Sequence, residues 1–165
     1  MILRAITLAA GLMGAFGAAQ FPAFSQQYLQ RLGGAVDALG QVVSDFDASA
    51  QAEGLDRAQA LAQMRGSDFA LRRRADMIVT FDRHAQLQAD LAVLQGQGPF
   101  MRAYHVAHLT DTQVAGRAWQ VFQPAVPLSL AAAIFAGVGF VAGALGCGAI
   151  FAVLRWPLRR RALPA

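Results

Sequence analysis

The side chains best suited to metal binding or proton transfer lie close together in the sequence: His105, His108 and Asp111. Residues three apart share one face of a helix, so a helix through this stretch would turn all three groups the same way. Two histidines at this spacing are weak support for a metal, because zinc and haem sites need further ligands and partners that orient them. We therefore predict no metal and no cofactor here, and whether the three residues bind any ligand stays open.

Other reactive side chains do not indicate an enzyme either. Asp45 and Asp47 are two residues apart, which on a helix turns their carboxylates to different faces and makes them unsuited to paired acid–base catalysis. The sequence has no GxSxG nucleophile turn, no Walker loop and no dinucleotide fingerprint. The single cysteine, Cys147, lies between two glycines in an apolar run, where a thiol acts as a small hydrophobic group. We predict that the protein is not an enzyme.

Composition indicates a membrane protein: 56% of the 165 residues are hydrophobic and 15% are charged. All 14 basic residues are arginines, and five of them lie in the terminal segments, which contain no acid. The stretch 21–126 holds the other nine arginines and all 10 acids, a formal charge of −1. A nucleic-acid-binding domain carries its basic excess on the folded part, where it neutralises phosphates, so we exclude nucleic acid as a partner.

The longer apolar run lies near the C-terminus and covers residues 127–154 without a charged side chain. A bilayer core about 30 Å thick needs about 20 apolar residues in a helix, so this run is long enough to span. We predict a transmembrane helix over 127–156 and a basic cytoplasmic tail over 157–165. Gly139 and Gly143 form a GxxxG motif, which lets another helix approach closely in lipid.

A second apolar run near the N-terminus covers residues 5–19. A cleaved signal peptide is one interpretation, because a small-residue sequence at 17–19 resembles a cleavage site. The apolar character continues through Phe24, which favours a retained transmembrane anchor over 1–24. The candidate helix-packing residues of this run recur at every third position: Gly11, Gly14 and Gly17.

Arginine placement orients the two predicted spans. Arg4 precedes the first span, and four arginines follow the second. By the positive-inside rule, both termini are cytoplasmic and the segment 25–126 is periplasmic, as in a multi-pass protein of the bacterial inner membrane. Aromatic and basic residues near the ends of spans mark the level of the lipid headgroups, and here they are Trp119, Arg155, Trp156, Arg159, Arg160 and Arg161.

Between the spans, apolar residues recur at alternating intervals of three and four, the seam of a coiled coil. A break at 47–54 and a short helix at 55–65 separate two such seams, which predicts an antiparallel hairpin. Short amphipathic helices follow, one over 100–109 and one capped by Thr110 or Asp111. The predicted fold is all-α, with two transmembrane helices flanking this extramembrane hairpin. Its first seam is Leu29, Leu32, Val36, Leu39, Val43 and Phe46, and its second is Met77, Thr80, His84, Leu87, Leu91 and Leu94.

Three stretches of the sequence resemble a known family: QFPAFSQQYLQRLGGAV at 20–36, GPFMRAYHV at 98–106 and VFQPAVPL at 121–128. They are similar to the proteobacterial inner-membrane family called domain of unknown function 2937. The Gln-Phe-Pro pattern followed by Ser-Gln-Gln-Tyr is the most specific part, and the resemblance covers nearly the whole chain. It implies two membrane spans around a helical middle and implies no activity.

These features predict an accessory or scaffold subunit that packs against a larger membrane complex or associates with itself. Its expected partners are membrane lipids and either other membrane-protein subunits or further copies of the chain. The alternative is an envelope protein whose amphipathic hairpin binds lipid or another hydrophobic ligand.

Overall fold

The protein is all-helical in the computed structural model, which describes residues 2–109, 111–124 and 128–160, with the backbone alone for 155–160. No strand occurs within these ranges. Two apolar helices flank the other helices, which confirms the predicted fold class. The helices are α1 Ile2–Ala19, α2 Phe21–Ala52, α3 Arg57–Gln63, α4 Asp68–Leu94, α5 Pro99–Tyr104, α6 Thr112–Val121 and α7 Leu130–Arg160, with a 3-10 turn at Val106–His108.

The chain divides into two compact units. The terminal unit comprises the residues up to Gln26 and from Phe122 onward, and the central unit is Gln27–Val121. Helix α2 begins in the terminal unit and continues into the central one.

In the terminal unit, α1 and α7 pack against each other through small residues. Beyond the end of α1, the rings of Phe21 and Phe135 lie 5.2 Å apart between centroids. Helix α7 begins after Ser129, whose side chain accepts a hydrogen bond from the Ala132 amide at 3.1 Å and so caps the helix. This start is three residues later than the predicted one, and Pro127 lies outside the described residues.

In the central unit, α2 and α4 run antiparallel. Gly40 faces the His84 ring, and Phe46 contacts Phe81 with ring centroids 5.2 Å apart. The later residue of α2 therefore contacts the earlier residue of α4, as in antiparallel helices. The predicted seam residues point inward. Those that are buried are Leu32, Val36, Val43, Met77, Leu87 and Leu94, and those that are half-buried are Leu29, Leu39, Phe46, Thr80, His84 and Leu91.

The break predicted at Asp47 is wrong, because α2 continues to Ala52. The Asp47 carboxylate is paired with Arg57, and Ala50 is buried, so this polar stretch gains contacts by staying helical. The helix ends before Gly54, whose φ of +69° is a left-handed conformation that favours glycine. Helix α3 then starts with a reciprocal capping box between Asp56 and Gln59.

The segment after α4 holds shorter helical pieces than predicted. The helix expected over 100–109 is α5 followed by the 3-10 turn, with a change of backbone direction at His105 (φ −92°, ψ 29°). Asp111 caps α6, since its Oδ1 accepts a hydrogen bond from the Val114 amide at 2.8 Å. Thr110, the other predicted cap, lies outside the described residues.

Candidate functional site

The contact between α1 and α7 is made by backbone atoms, at glycines singled out in the sequence. A Cβ atom on Gly14 would overlap the carbonyl oxygen of Gly139, and one on Gly143 would overlap the carbonyl oxygen of Ala10. A Cβ on Gly11 would lie 2.7 Å from the ring of Phe140. Only glycine allows an approach this close, because any side chain would push the helices apart. The glycine faces are therefore occupied within the chain itself.

Gly17 lies outside this contact, since an added Cβ would meet nothing within 4 Å. Three residues are less than one full turn of an α-helix, so each successive glycine of this series points in a different direction. Gly17, the third of them, points away from α7. Thr7 and Cys147 extend the contact toward the start of α1, with the Thr7 hydroxyl 3.9 Å from the sulfur. The structure thus gives Cys147 a packing position between two apolar helices.

The outer surfaces of α1 and α7 are apolar and exposed. In the most apolar 18-residue windows only 11% of the N-terminal helix and 6% of α7 is buried inside the chain. A helix from the core of a soluble protein would be mostly buried, so these surfaces need an apolar environment that the chain does not provide. By length and composition, both helices can cross a membrane. Among the large apolar side chains described on these helices, the most exposed are Ile2, Met13, Leu130 and Leu145.

A polar cluster built around Asp111 joins α2, α4 and α6 within the central unit. The Asp111 carboxylate lies 3.1 Å from the Nη2 atom of Arg83, and it also caps α6. The Asp111 amide donates a hydrogen bond to the hydroxyl of Tyr28 at 3.2 Å. Asp111 therefore forms hydrogen bonds with polar groups of three helices, and these bonds hold α6 in position.

Tyr28 is fully buried at the centre of this cluster. Burial raises the pKa of its phenol above the usual value, because a phenolate would lose its hydration, and the nearby carboxylates of Asp111 and Asp90 act in the same direction. The hydrogen bond from the Asp111 amide opposes this shift but is the smaller effect. The hydroxyl is thus kept protonated and acts as a hydrogen-bond acceptor inside the unit.

The structure brings together only two of the three candidate ligands: the rings of His105 and His108 lie 6.2 Å apart between centroids. His108 Nδ1 lies 2.7 Å from Asp90 Oδ1, whereas Asp111 is engaged by Arg83. The His105 ring packs edge-on against Tyr104, with centroids 5.0 Å apart. Within the described residues, no group of three or more histidine, cysteine or acidic side chains could hold a metal ion. The geometry makes His108 and Asp90 a link between the 3-10 turn and α4.

A third cluster lies at the closed end of the hairpin. The Arg57 guanidinium pairs with Asp47, with Nε 2.8 Å from Oδ1, and its centre lies 4.6 Å from the ring centroid of Phe81. The Arg57 side chain lowers the pKa of the Asp47 carboxyl, mainly by hydrogen bonding, and Asp47 raises the pKa of Arg57 in return. This cluster holds α3 against the last turns of α2 and the middle of α4.

The predicted membrane-interface residues are only partly described. Trp119 on α6 exposes 68% of its surface, a large value for an aromatic side chain and consistent with a contact outside the chain. The backbone of α7 continues to Arg160, beyond the predicted end at 156. The side chains of Arg155, Trp156, Arg159 and Arg160, and all of Arg161, lie outside the described residues.

Sequence reasoning missed Arg83, Asp90 and the hydrogen bond of the Tyr28 hydroxyl. Tyr28 and Asp111 are 83 residues apart, so no local spacing links them. One signal was available: Arg83 and Asp90 are charged residues on either side of the seam residue Leu87 on α4. Charges at the border of a buried stripe often pair with an element that packs across it.

The chain was compared with protein families, curated proteins and solved structures. The model of the family described as "Protein of unknown function (DUF2937)" matches residues 2–160. The chain belongs to this family. No curated protein and no solved structure matched the chain. The DUF2937 match includes both apolar helices and the whole central unit.

Proposed function

We propose that this protein is a non-catalytic accessory or scaffold subunit of the bacterial inner membrane, anchored by α1 and α7. The close contact of Gly14 with Gly139 supports a paired two-helix anchor, because it buries small residues and leaves the large apolar side chains facing outward. The side chains capable of chemistry, Asp111 and His108, are used to hold α6 and the 3-10 turn in place. This use supports a structural role for them.

Charge supports the orientation of the anchor. Arg4 lies at the start of α1, and the remaining terminal arginines follow Leu154 at the end of α7. Under the positive-inside rule, this distribution supports the proposal that both termini are cytoplasmic and the central unit is periplasmic.

The observation that carries the scaffold role is an apolar surface on α4. Leu71 and Ile78 are two helical turns apart and expose 50% and 39% of their surfaces, and the neighbouring Val79 exposes 65%. They lie away from the seam that packs on α2, so the fold of the central unit does not use them. Apolar side chains grouped on a helix surface are typical of protein contacts. In this proposal, Leu71, Ile78 and Val79 contact another membrane-complex subunit or a second copy of the chain.

Site-specific photo-crosslinking tests this surface. A benzophenone side chain at Val79 is expected to crosslink one discrete partner, or a second copy, in native membranes. The same group at Gln88, also exposed on α4, is the matched control and should crosslink weakly. Mass spectrometry identifies the product, and Leu71→Ser together with Ile78→Ser should reduce its yield. Equal, diffuse crosslinking from Val79 and Gln88, unaffected by these substitutions, contradicts the proposal.

The alternative, a lipid-binding role, is favoured by a groove in the terminal unit. A cavity of about 390 Å³ is lined by Leu3, Thr7, Leu8 and Phe140, with Arg4 also on its border. An acyl chain fits its apolar walls, and the guanidinium suits an anionic headgroup. Native mass spectrometry of delipidated protein distinguishes the roles. An anionic phospholipid that is retained by the natural chain and lost in Arg4→Gln favours lipid binding, and no retained lipid favours the scaffold role alone.

A further inference from the structure

A cavity of about 320 Å³ lies within the central unit, where α2, α4 and α6 converge. Each of the three helices contributes an arginine to its lining: Arg31, Arg83 and Arg117. The lining also includes Gln30 and Gln113, and it includes no acidic residue. Three cations on one concave surface repel one another, and an anion bound among them would relieve this repulsion.

The charge of the cavity is compensated only in part. Arg83 is held by Asp111 through its Nη2 atom, which lies 3.2 Å from Oδ1 and 3.1 Å from Oδ2. Arg31 and Arg117 are exposed and have no ion pair in the part of the chain that the structure describes. The cavity therefore retains about two uncompensated positive charges, on side chains that have several N–H donors each.

One lining residue of the cavity is a glycine. Gly34 lies in the lining, and an added Cβ there would meet nothing within 4 Å. Packing against a neighbouring helix therefore does not explain a glycine at this position. Glycine also weakens a helix by about 1 kcal/mol relative to alanine, so helix stability does not explain it either. The missing side chain does leave the space beside Arg31 free for a ligand.

We propose that this cavity binds a phosphate-bearing anion, either a soluble phosphate ester or the phosphodiester headgroup of an anionic lipid. Guanidinium groups match the geometry of phosphate oxygens, and two or three of them around one site give the strong, charge-assisted hydrogen bonds that phosphate requires. The glutamine amides at Gln30 and Gln113 suit the hydroxyl groups of a glycerol or sugar moiety. The volume fits a small ligand of this kind. This site goes beyond the proposed scaffold role and does not depend on it.

Two binding measurements distinguish the two sources of phosphate. In the first, calorimetry measures binding of glycerol 3-phosphate to the full chain in maltoside micelles. In the second, native mass spectrometry counts lipids retained from nanodiscs of equal parts phosphatidylglycerol and phosphatidylcholine. Binding in the first identifies a soluble phosphate, and selective retention of phosphatidylglycerol in the second identifies a headgroup.

Variants assign the binding to this cavity. Arg31→Gln and Arg117→Gln should each weaken binding about 10- to 100-fold, the effect of losing a hydrogen bond to a charged group. Gly34→Leu should block the site, whereas Gly33→Leu, at a neighbouring open glycine outside the lining, should bind within about twofold of the natural chain. Circular dichroism checks that each variant stays helical. Absence of binding in both measurements, or binding by Gly34→Leu and the arginine variants that is as tight as that of the natural chain, overturns the proposal.

Discussion

Gly14 and Gly139 meet backbone to backbone, and a Cβ atom on either residue would overlap the carbonyl oxygen of the other. This relationship explains why two glycine-containing apolar helices at opposite ends of the chain can form one compact pair. In lipid, where apolar side chains gain nothing by leaving the solvent, close backbone packing is the main attraction between helices. The pair leaves the outer apolar surfaces of α1 and α7 exposed.

Gly14→Val should destabilise the α1–α7 pair by about 1–3 kcal/mol, because the new side chain overlaps backbone atoms that cannot move aside. Gly17→Val places the same side chain on the same helix in open space and should leave stability almost unchanged. The free energy of unfolding in mixed micelles measures both variants. Equal losses in the two variants would mean that α1 and α7 do not pack through Gly14.

Tyr28→Phe should destabilise the central unit by about 1–3 kcal/mol. The substitution keeps the ring but removes the hydroxyl that accepts the Asp111 amide, which is then left without this partner. Tyr104→Phe is the matched control, because Tyr104 exposes 79% of its surface, and its effect should stay within about 0.5 kcal/mol. Urea denaturation followed by circular dichroism compares them, and a larger loss for Tyr104→Phe would refute the role of Tyr28.

The phenol of Tyr28 should titrate later in the folded chain than in the unfolded chain, because burial raises its pKa from the ordinary 10.0. A raised folded pKa means that this group's contribution to stability is complete below pH 10.0 and is lost as the pH rises through the folded value. In Tyr104→Phe, Tyr28 is the remaining tyrosine, so absorbance near 295 nm follows it alone. Identical titration curves with and without urea would show that Tyr28 is not buried.

Asp47→Asn should cost at most about 1 kcal/mol at neutral pH, because Arg57 and Asp47 expose 43% and 31% of their side chains. The lowered pKa of Asp47 means that the ion pair stabilises the fold above pH 3.8 and that this contribution is lost as the pH falls through the lower folded value. Arg57→Gln should cost more, since it also removes the contact with the Phe81 ring. A difference between Asp47→Asn and the natural chain that grows on acidification would contradict the pairing.

Much of the fold is predictable because it depends on local patterns. The uncharged runs indicate α1 and α7, and the alternating three- and four-residue spacing indicates the seam from Leu29 to Phe46. Ser67 is also recognisable as the cap of α4, and its side chain accepts the Ala70 amide at 3.2 Å.

What the sequence did not predict depends on contacts between distant residues. The helix continues through Asp47 because Arg57, ten residues later, pairs with its carboxylate. His105 and His108 were expected on one helical face and their rings do lie 6.2 Å apart between centroids, but Asp90 on α4 engages His108 and Arg83 on α4 engages Asp111, which no local spacing indicates. The arginine cavity is assembled from α2, α4 and α6, and no spacing within one helix indicates it.

The most direct test of the central claim, that α1 is retained and paired with α7 in the membrane, uses the chain's single cysteine. The Thr7 hydroxyl lies 3.9 Å from the Cys147 sulfur, so Thr7→Cys places two thiols within reach of a disulfide. Leu8→Cys is the control, because residue 8 is exposed on another face of α1. Carbonate-washed membranes are oxidised with copper phenanthroline, digested with trypsin and analysed by mass spectrometry.

We expect an intramolecular disulfide to Cys147 in most Thr7→Cys molecules and in few Leu8→Cys molecules. Release of the chain by carbonate, a mature chain that begins after Ala19, or equal crosslinking in the two variants would contradict it.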